Sequence, residues 1–216
     1  MFWGQGSSPP PRVGARVDEL GWEPVPVDWA ASRQLRLAAS SIETPRLKLR
    51  RWTEADLGPL AEMDADPQVM EFFPRPLDRR ESDELVERVE AGFEREGFGL
   101  WAVEVRGTGE FVGFAGLNRV GFEARFTPAV EVGWRLARGA WGKGYATEAG
   151  GAALSFGFER VGLTEIVSFT TAANRRSRAV MERLGMTRDP VEDFEHPSLP
   201  PGHPQRPHVL YRATKS

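Results

Sequence analysis

From residue 47 the chain alternates, with Leu47 and Leu49 set against Arg46, Lys48 and Arg50. A period of two predicts a strand. In "TEADLGPLAEMDAD" the spacing of Leu57, Leu60 and Met63 changes to that of a helix, and Thr53 stands as N-cap with Asp56 three residues on; a short helix is expected. "DRRESDELVERVEAGFEREG" places Leu85, Val89 and Phe93 at intervals of four and ends on Gly97, which predicts a longer amphipathic helix with a solvated charged face. "LWAVEV" and "FVGFAGLNRV", joined through "RGTGE", read as a hairpin, and "AVEVGWRL" as a third strand. A helix over about 144–160 stops at Gly162, "EIVSFTT" is another strand, and "NRRSRAVMERLGM" is a helix closed by Gly185. A strand near 186–193, a Pro-rich loop and a last strand "HVLYRA" complete the order. Strands interleaved with helices in this way imply an α+β domain, a mixed sheet with helices packed on it.

Residues 1–40 show no such period. They carry "SSPPP", "PVPVDW" and the scattered Trp3, Trp22 and Trp29, so the division expected is an N-terminal extension over 1–40 and one domain over 41–216. Tryptophans have little use in a solvated tail, so docking on the domain or on a second copy of the chain, a homodimer, is the expectation. The 216 residues suit a single core. No apolar run is long enough to span a bilayer, and the amino terminus lacks the basic start and apolar stretch of an export signal, so a cytoplasmic address and no membrane partner are expected. A net charge of −3 with no basic stripe disfavours nucleic acid. There is no cysteine, and His196, His203 and His208 share one Pro-rich segment; no metal is expected, and this segment reads as a surface loop.

The stretch "WGKGYATEA", Trp141 to Ala149, places two glycines around a lysine immediately before a helix. Bare backbone N–H groups at a helix N-terminus bind anions, and glycine removes the side chains that would stand in the way. A P-loop is excluded, because Ala137 occupies its first glycine position and Lys143 is followed by Gly144 instead of Ser or Thr. A dinucleotide fingerprint fails at Thr147. A pyrophosphate still fits. In this register "WGKGYA" resembles the [QR]-x-x-G-x-[GA] loop of the GNAT superfamily of acetyl-CoA-dependent N-acetyltransferases, with Gly144 and Ala146 in the small positions. Trp141 in place of Gln or Arg is shared with the branch resembling ribosomal-protein N-terminal acetyltransferases of the RimJ/RimL type. "TPRLKLRRWTEADL", "AVEVGWRL", "NRRSRAVMERLGM" and "RPHVLYRA" resemble further segments of that branch in order, over roughly residues 43–213.

The resemblance implies a GNAT fold, a mixed and mostly antiparallel twisted sheet of six to seven strands with helices on both faces. It also implies that Trp141, Gly142, Lys143, Gly144, Tyr145 and Ala146 surround the CoA pyrophosphate, with charge supplied by Lys143. Gly133 and Trp134 lie where the family's strand splays from its neighbour and exposes backbone to the pantetheine arm, one N–H there polarising the thioester carbonyl; the Trp134 ring itself suits core packing. Asn174 is implied as a bond to the pantetheine amide and is also a plain helix N-cap. Where many relatives carry a thiolate-protonating tyrosine this chain has Met181, and Ser177 is the replacement the resemblance favours. Arg175, Arg176 and Arg178 read either as a solvated face or as contacts to the CoA 3'-phosphate. Gly150 and Gly151, costly inside a helix, are expected to allow close packing and no chemistry.

Acetyl transfer needs a neutral amine, a polarised carbonyl and a stabilised thiolate. An α-amine with a pKa of about 8 is already partly neutral at pH 7, so it needs less help than a lysine amine. Glu131, two residues before Gly133 on the same strand face, is the candidate proton acceptor, through water, with a solvated or salt-bridged strand carboxylate as the alternative. The function implied is direct transfer from acetyl-CoA to an amine acceptor, a protein N-terminal α-amine in the branch resembled. The alternatives are a small amine (an aminoglycoside, polyamine or amino-acid conjugate) and a CoA-binding module without catalysis.

Overall fold

The computed structural model describes residues 41–215, so the expected extension over 1–40 lies outside the described residues. Eight strands form one sheet: β1 (Ser41–Glu43), β2 (Leu47–Arg50), β3 (Leu100–Val105), β4 (Glu110–Arg119), β5 (Val130–Leu136), β6 (Glu165–Thr171), β7 (Phe194–Glu195) and β8 (Pro207–Thr214). Their spatial order is β1-β2-β3-β4-β5-β6-β8-β7, antiparallel throughout except for the parallel pair of β5 with β6. The α-helices are α1 (Glu54–Ala65), α2 (Arg79–Glu96), α3 (Tyr145–Phe156) and α4 (Arg175–Arg183). The expected fold is thus observed, and two very short edge strands raise the count to eight. None of these helices is long and apolar enough to cross a membrane.

The local rules hold where the sequence states them openly. Asp56 accepts from the Thr53 amide at 2.8 Å and from its hydroxyl at 2.9 Å, closing the first turn of α1. Burial alone would raise the Asp56 carboxyl; the Arg50 guanidinium, donating to both carboxylate oxygens, outweighs that and holds it below its ordinary value. In α2 the predicted stripe of Leu85, Val89 and Phe93 is buried, and Gly97 ends the helix in the left-handed region. Phe93 meets Trp101 of β3 edge-on at 5.3 Å. Helices cover both sides of the sheet, as neighbouring residues of β5 show. Trp134 packs toward α3, and Arg135, pointing the opposite way, pairs with Asp64 of α1 at 2.7 Å.

The parallel pairing of β5 with β6 is confined to Glu131 opposite Val167. Beyond it the strands part, and the Ser168 hydroxyl donates to the Val132 carbonyl at 2.9 Å across the widening gap. On its other side β5 stays in register with β4 from Val130 to Leu136. One edge of β5 is therefore held while the other opens.

The C-terminal region departs from expectation twice. The strand expected near 186–193 is a single bridge, Thr187 to Arg212, followed by a 3-10 turn over Pro190–Glu192. Pro190 has no N–H for a ladder, and the Asp189 side chain accepts from the Val191 amide instead, which favours the turn. The loop carrying the histidines is not wholly at the surface: His196 and His208 are buried, with ring centroids 5.0 Å apart, in a small aromatic cluster with Phe122, Phe169 and Phe194. Prolines and polar residues around them hid an inward turn that only β7 pairing with β8 creates.

Desolvation lowers both imidazoles from 6.5, His196 to about 3 and His208 to about 4. Depressed histidines keep their full contribution above the unfolded pKa, and stability is lost as pH falls, because the unfolded chain then binds protons that the folded one refuses. Each should cost up to about 1.4 kcal/mol per pH unit below roughly 6.5. Urea unfolding at pH 7.5 and pH 5 should show this drop in the wild type and a smaller one in His196→Phe/His208→Phe; equal drops would assign the effect elsewhere.

Candidate active site

A cleft of about 770 Å³ opens where β5 leaves β6. Its walls are β5 from Val132 to Leu136, β6 from Ser168 to Thr170, the loop leading into α3, one face of α4, and Val69, Phe72 and Phe73 from the α1–α2 connection. Of the residues singled out in the sequence, Gly133, Trp134, Trp141, Gly142, Gly144, Tyr145, Ala146, Asn174 and Ser177 all line it. Lys143 and Glu131 do not.

The backbone of β5 supplies the floor. Val132 accepts from Ser168, and Leu136 accepts from the Trp141 indole N–H at 2.8 Å, so the even-numbered peptides turn away from β4. Trp134 lies between them, and strand alternation turns its N–H to the same side, toward the opening. Its ring packs on α3: a Cβ on Gly150 would stand 3.0 Å from Leu184 and 3.4 Å from the Trp134 ring, so the close-packing role expected of Gly150 holds.

At the other end, Gly142 and Gly144 adopt positive φ of 74° and 79°, a region that side chains resist. Gly144 is the N-cap of α3 and offers no capping side chain, which leaves the amides of the first turn to whatever enters the cleft. Such a cradle fits the pyrophosphate of CoA. The loop is fastened from the turn between β1 and β2, a feature the sequence did not announce. Arg46 donates through Nε to Glu148 at 2.6 Å and through Nη1 to the Lys143 carbonyl at 2.8 Å, and the Thr44 hydroxyl donates to Glu148 at 2.6 Å. Burial would raise the Glu148 carboxyl, but these bonds hold it below its usual value. The Arg46 guanidinium also lies 5.0 Å from the Tyr145 ring.

In α4, Asn174 is a working N-cap: its Oδ1 accepts from the Ser177 amide at 3.1 Å and its Nδ2 donates to Thr170 at 3.1 Å. Ser177 is half-buried in the cleft wall, and Met181 lines the same wall, fully buried. The three arginines separate. Arg176 stacks on Trp141 at 4.4 Å and donates to Glu71 at 2.6 Å, Arg178 bonds the Ala172 carbonyl at 3.1 Å, and Arg175 is exposed at the cleft rim.

Glu131 is only 3% exposed, which removes the reading of it as a solvated carboxylate. Its strand face is shared with Gly133 and Arg135, and at Arg135 that face meets Asp64 of α1. Arg135, at 4% exposure, was not singled out in the sequence, because a strand pattern does not say which element covers each face. The usable signal was an arginine directly between Trp134 and Leu136.

The splayed parallel pair, an uncapped helix N-terminus and a cleft joining them define an acyl-CoA-binding α+β protein. The chain belongs to the GNAT family: residues 46–187 match the family described as acetyltransferase (GNAT) domain. It is 32% identical over 174 residues, 76% of this chain and 72% of the relative, to FsC-acetyl coenzyme A-N(2)-transacetylase of Aspergillus fumigatus. Among solved structures, an acetyltransferase from Agrobacterium tumefaciens shares 30% identity with a TM-score of 0.66, over 81% of this chain and 94% of that one. A ribosomal-protein-S5-alanine acetyltransferase from Vibrio fischeri, at 17% identity, shares the fold with a TM-score of 0.63 over 81% and 96% of the two chains. An acetyl-CoA-dependent acyltransferase is the activity these relationships give.

Acetyl-CoA at 100 times its Kd should stabilise the protein by about 2.7 kcal/mol. Gly144→Val, which forces a β-branched residue into positive φ, should abolish the thermal shift, and Glu148→Ala should reduce it by releasing the loop from Arg46. A full shift in Gly144→Val would show that the α3 N-terminus does not hold the cofactor.

Proposed function

We propose that the chain transfers acetyl from acetyl-CoA to a primary amine by direct attack, with a protein N-terminal α-amine as the acceptor. The observation carrying this is the convergence, in one cleft, of the α3 amide cradle, the opening edge of β5 and Ser177 of α4. Acetyl-CoA supplies the activated acyl group; the chain's residues bind it and manage the charge. In the transfer a C–N bond forms as the C–S bond breaks, the amine loses a proton and the sulfur leaves as thiolate. The Trp134 N–H is the donor placed for the carbonyl oxygen as negative charge grows on it, and the Ser177 hydroxyl is the donor for the sulfur. Met181 cannot donate a proton, so Ser177 carries that role alone among the residues the family pattern marks. Deprotonation falls to water or to Glu131 through water, Glu131 sharing its strand face with Gly133 behind the cleft lining.

A small-molecule amine is the second reading. It is favoured by the Aspergillus relative, whose name describes an N(2)-transacetylase. Phe72 and Phe73 wall the cleft end, and the Glu71 carbonyl accepts from Gln205 at 2.8 Å while its carboxylate accepts from Arg176, so residues 71–73 form a strap across it. A panel of peptides and small amines, followed by release of free CoA, separates the two readings; no turnover with any of them would leave a binding module.

Ser177→Ala should lower kcat about tenfold or more with little change in the Kd for acetyl-CoA, because a bond to developing thiolate is felt in the transition state. An unchanged kcat would remove Ser177 from the chemistry. With Glu131→Gln the pH–rate profile should shift most for acceptors of high pKa, and a profile identical to wild type would leave deprotonation to water.

A further inference from the structure

Arg135 carries more hydrogen-bonding capacity than the fold uses. Its Nη1 donates to Asp64 Oδ1 at 2.7 Å, and Asp64 in turn accepts from the Ser82 hydroxyl at 3.0 Å, which ties β5 to α1 and α2. The rings of Phe73 and Phe114 lie 4.3 and 5.1 Å from the guanidinium carbon, so apolar surface flanks the group. Its Nε and Nη2 are buried and have no hydrogen-bond partner, although the residue lines the cleft together with Phe73 and Gly133. Bracing α1 against the sheet accounts for Nη1 alone. A buried donor left without an acceptor is costly, and a guanidinium with two such donors is costlier still.

The two unused atoms form a pattern. Nε–H and one Nη2–H point the same way along one edge of the guanidinium, parallel and spaced for the two oxygens of a carboxylate. The edge occupied by Asp64 is a different one, so a second carboxylate does not compete with it for the same donors. Resting on the acetyltransferase reading of the cleft, we propose that Arg135 is a specificity-determining residue that receives a carboxylate carried by the amine acceptor, selecting amino-acid-like or acidic amines over neutral ones. The carboxylate is either the free α-carboxylate of a small amino acid or the side chain of an acidic N-terminal residue; both present the same pair of oxygens to the same fork.

The test compares kcat/KM within two matched pairs of acceptors, L-alanine against L-alaninamide, and Asp-Ala-Ala-amide against Asn-Ala-Ala-amide. Wild type should prefer the carboxylate-bearing member of at least one pair by about ten- to hundredfold, the range expected of a bidentate charge-assisted contact. The preferred pair identifies the source of the carboxylate. Arg135→Met should collapse that ratio to about one, and so should Arg135→Met/Asp64→Leu, which leaves no unpaired buried charge. Because each ratio is taken on a single protein, partial loss of folded enzyme cancels. Equal rates within both pairs in wild type, or a preference that survives in Arg135→Met, would overturn the proposal while leaving acetyl transfer intact. Absence of turnover with all four acceptors would count against the enzymatic reading. In that event, calorimetry on the CoA-loaded protein decides the fork with two pairs, N-acetyl-L-alanine against N-acetyl-L-alaninamide and N-acetyl-Asp-Ala-Ala-amide against N-acetyl-Asn-Ala-Ala-amide: the carboxylate-bearing member of at least one pair should bind at least tenfold tighter, and equal binding within both pairs would overturn it.

Discussion

The parting of β5 from β6 is the constraint around which the molecule is organised. Two parallel strands that stayed paired would consume the peptide groups of both edges in a ladder, and no substrate could approach the backbone. Here the ladder is held to one register pair, Glu131 with Val167, and Ser168 spans the first step of the gap with a side-chain bond to Val132. The opening is sustained from outside. On one flank β4 keeps β5 in register through seven residue pairs, and on the other β8 does the same for β6. Each strand has one firm neighbour, which is why a gap in the middle of an eight-stranded sheet does not let the sheet fall apart.

What enters the gap is governed by elements fastened at a distance. The glycine loop could adopt many conformations on its own; Arg46 and Glu148 restrict it by tying the β1–β2 turn to α3 across about a hundred residues of sequence. Trp141 fixes the other side of the loop to the end of β5 and stacks against Arg176 of α4. The anion-binding end of the cleft is thus rigid through polar contacts at its rim. At the end walled by Phe72 and Phe73 the contacts are different: an aromatic wall, a strap held by Glu71, and a guanidinium buried with its counter-charge. One end suits a ligand shared by a whole family, and the other suits discrimination among amines.

The histidine cluster shows how packing can change a residue's character. Nothing about "EHPSLPPGHPQRPH" announces a core, yet β7 folding back on β8 carries His196 and His208 among phenylalanines and keeps them neutral. Burial is the largest cause of their lowered pKa values.

Local periodicity and backbone chemistry were legible from the chain alone. The alternation in β2 to β5, the stripe on α2, the Thr53–Asp56 cap, the stops at Gly97, Gly162 and Gly185, and the glycines that open the N-terminus of α3 are decided by neighbours within a few residues, so sequence states them directly. Most of the residues expected to hold the cofactor belong to that group, since they come from backbone and from one contiguous loop. The acceptor side was not legible, because alternation tells which residues share a strand face and not what covers that face. The face of β5 that carries Arg135 meets Asp64 of α1, and both Glu131 and Arg135 are interior charges. Pairing Arg135 with Asp64, Arg46 with Glu148 and Glu71 with Gln205 joins residues 71, 102 and 134 positions apart. Contacts of that separation exist only once the sheet has brought its strands together, and only the tertiary structure could decide them.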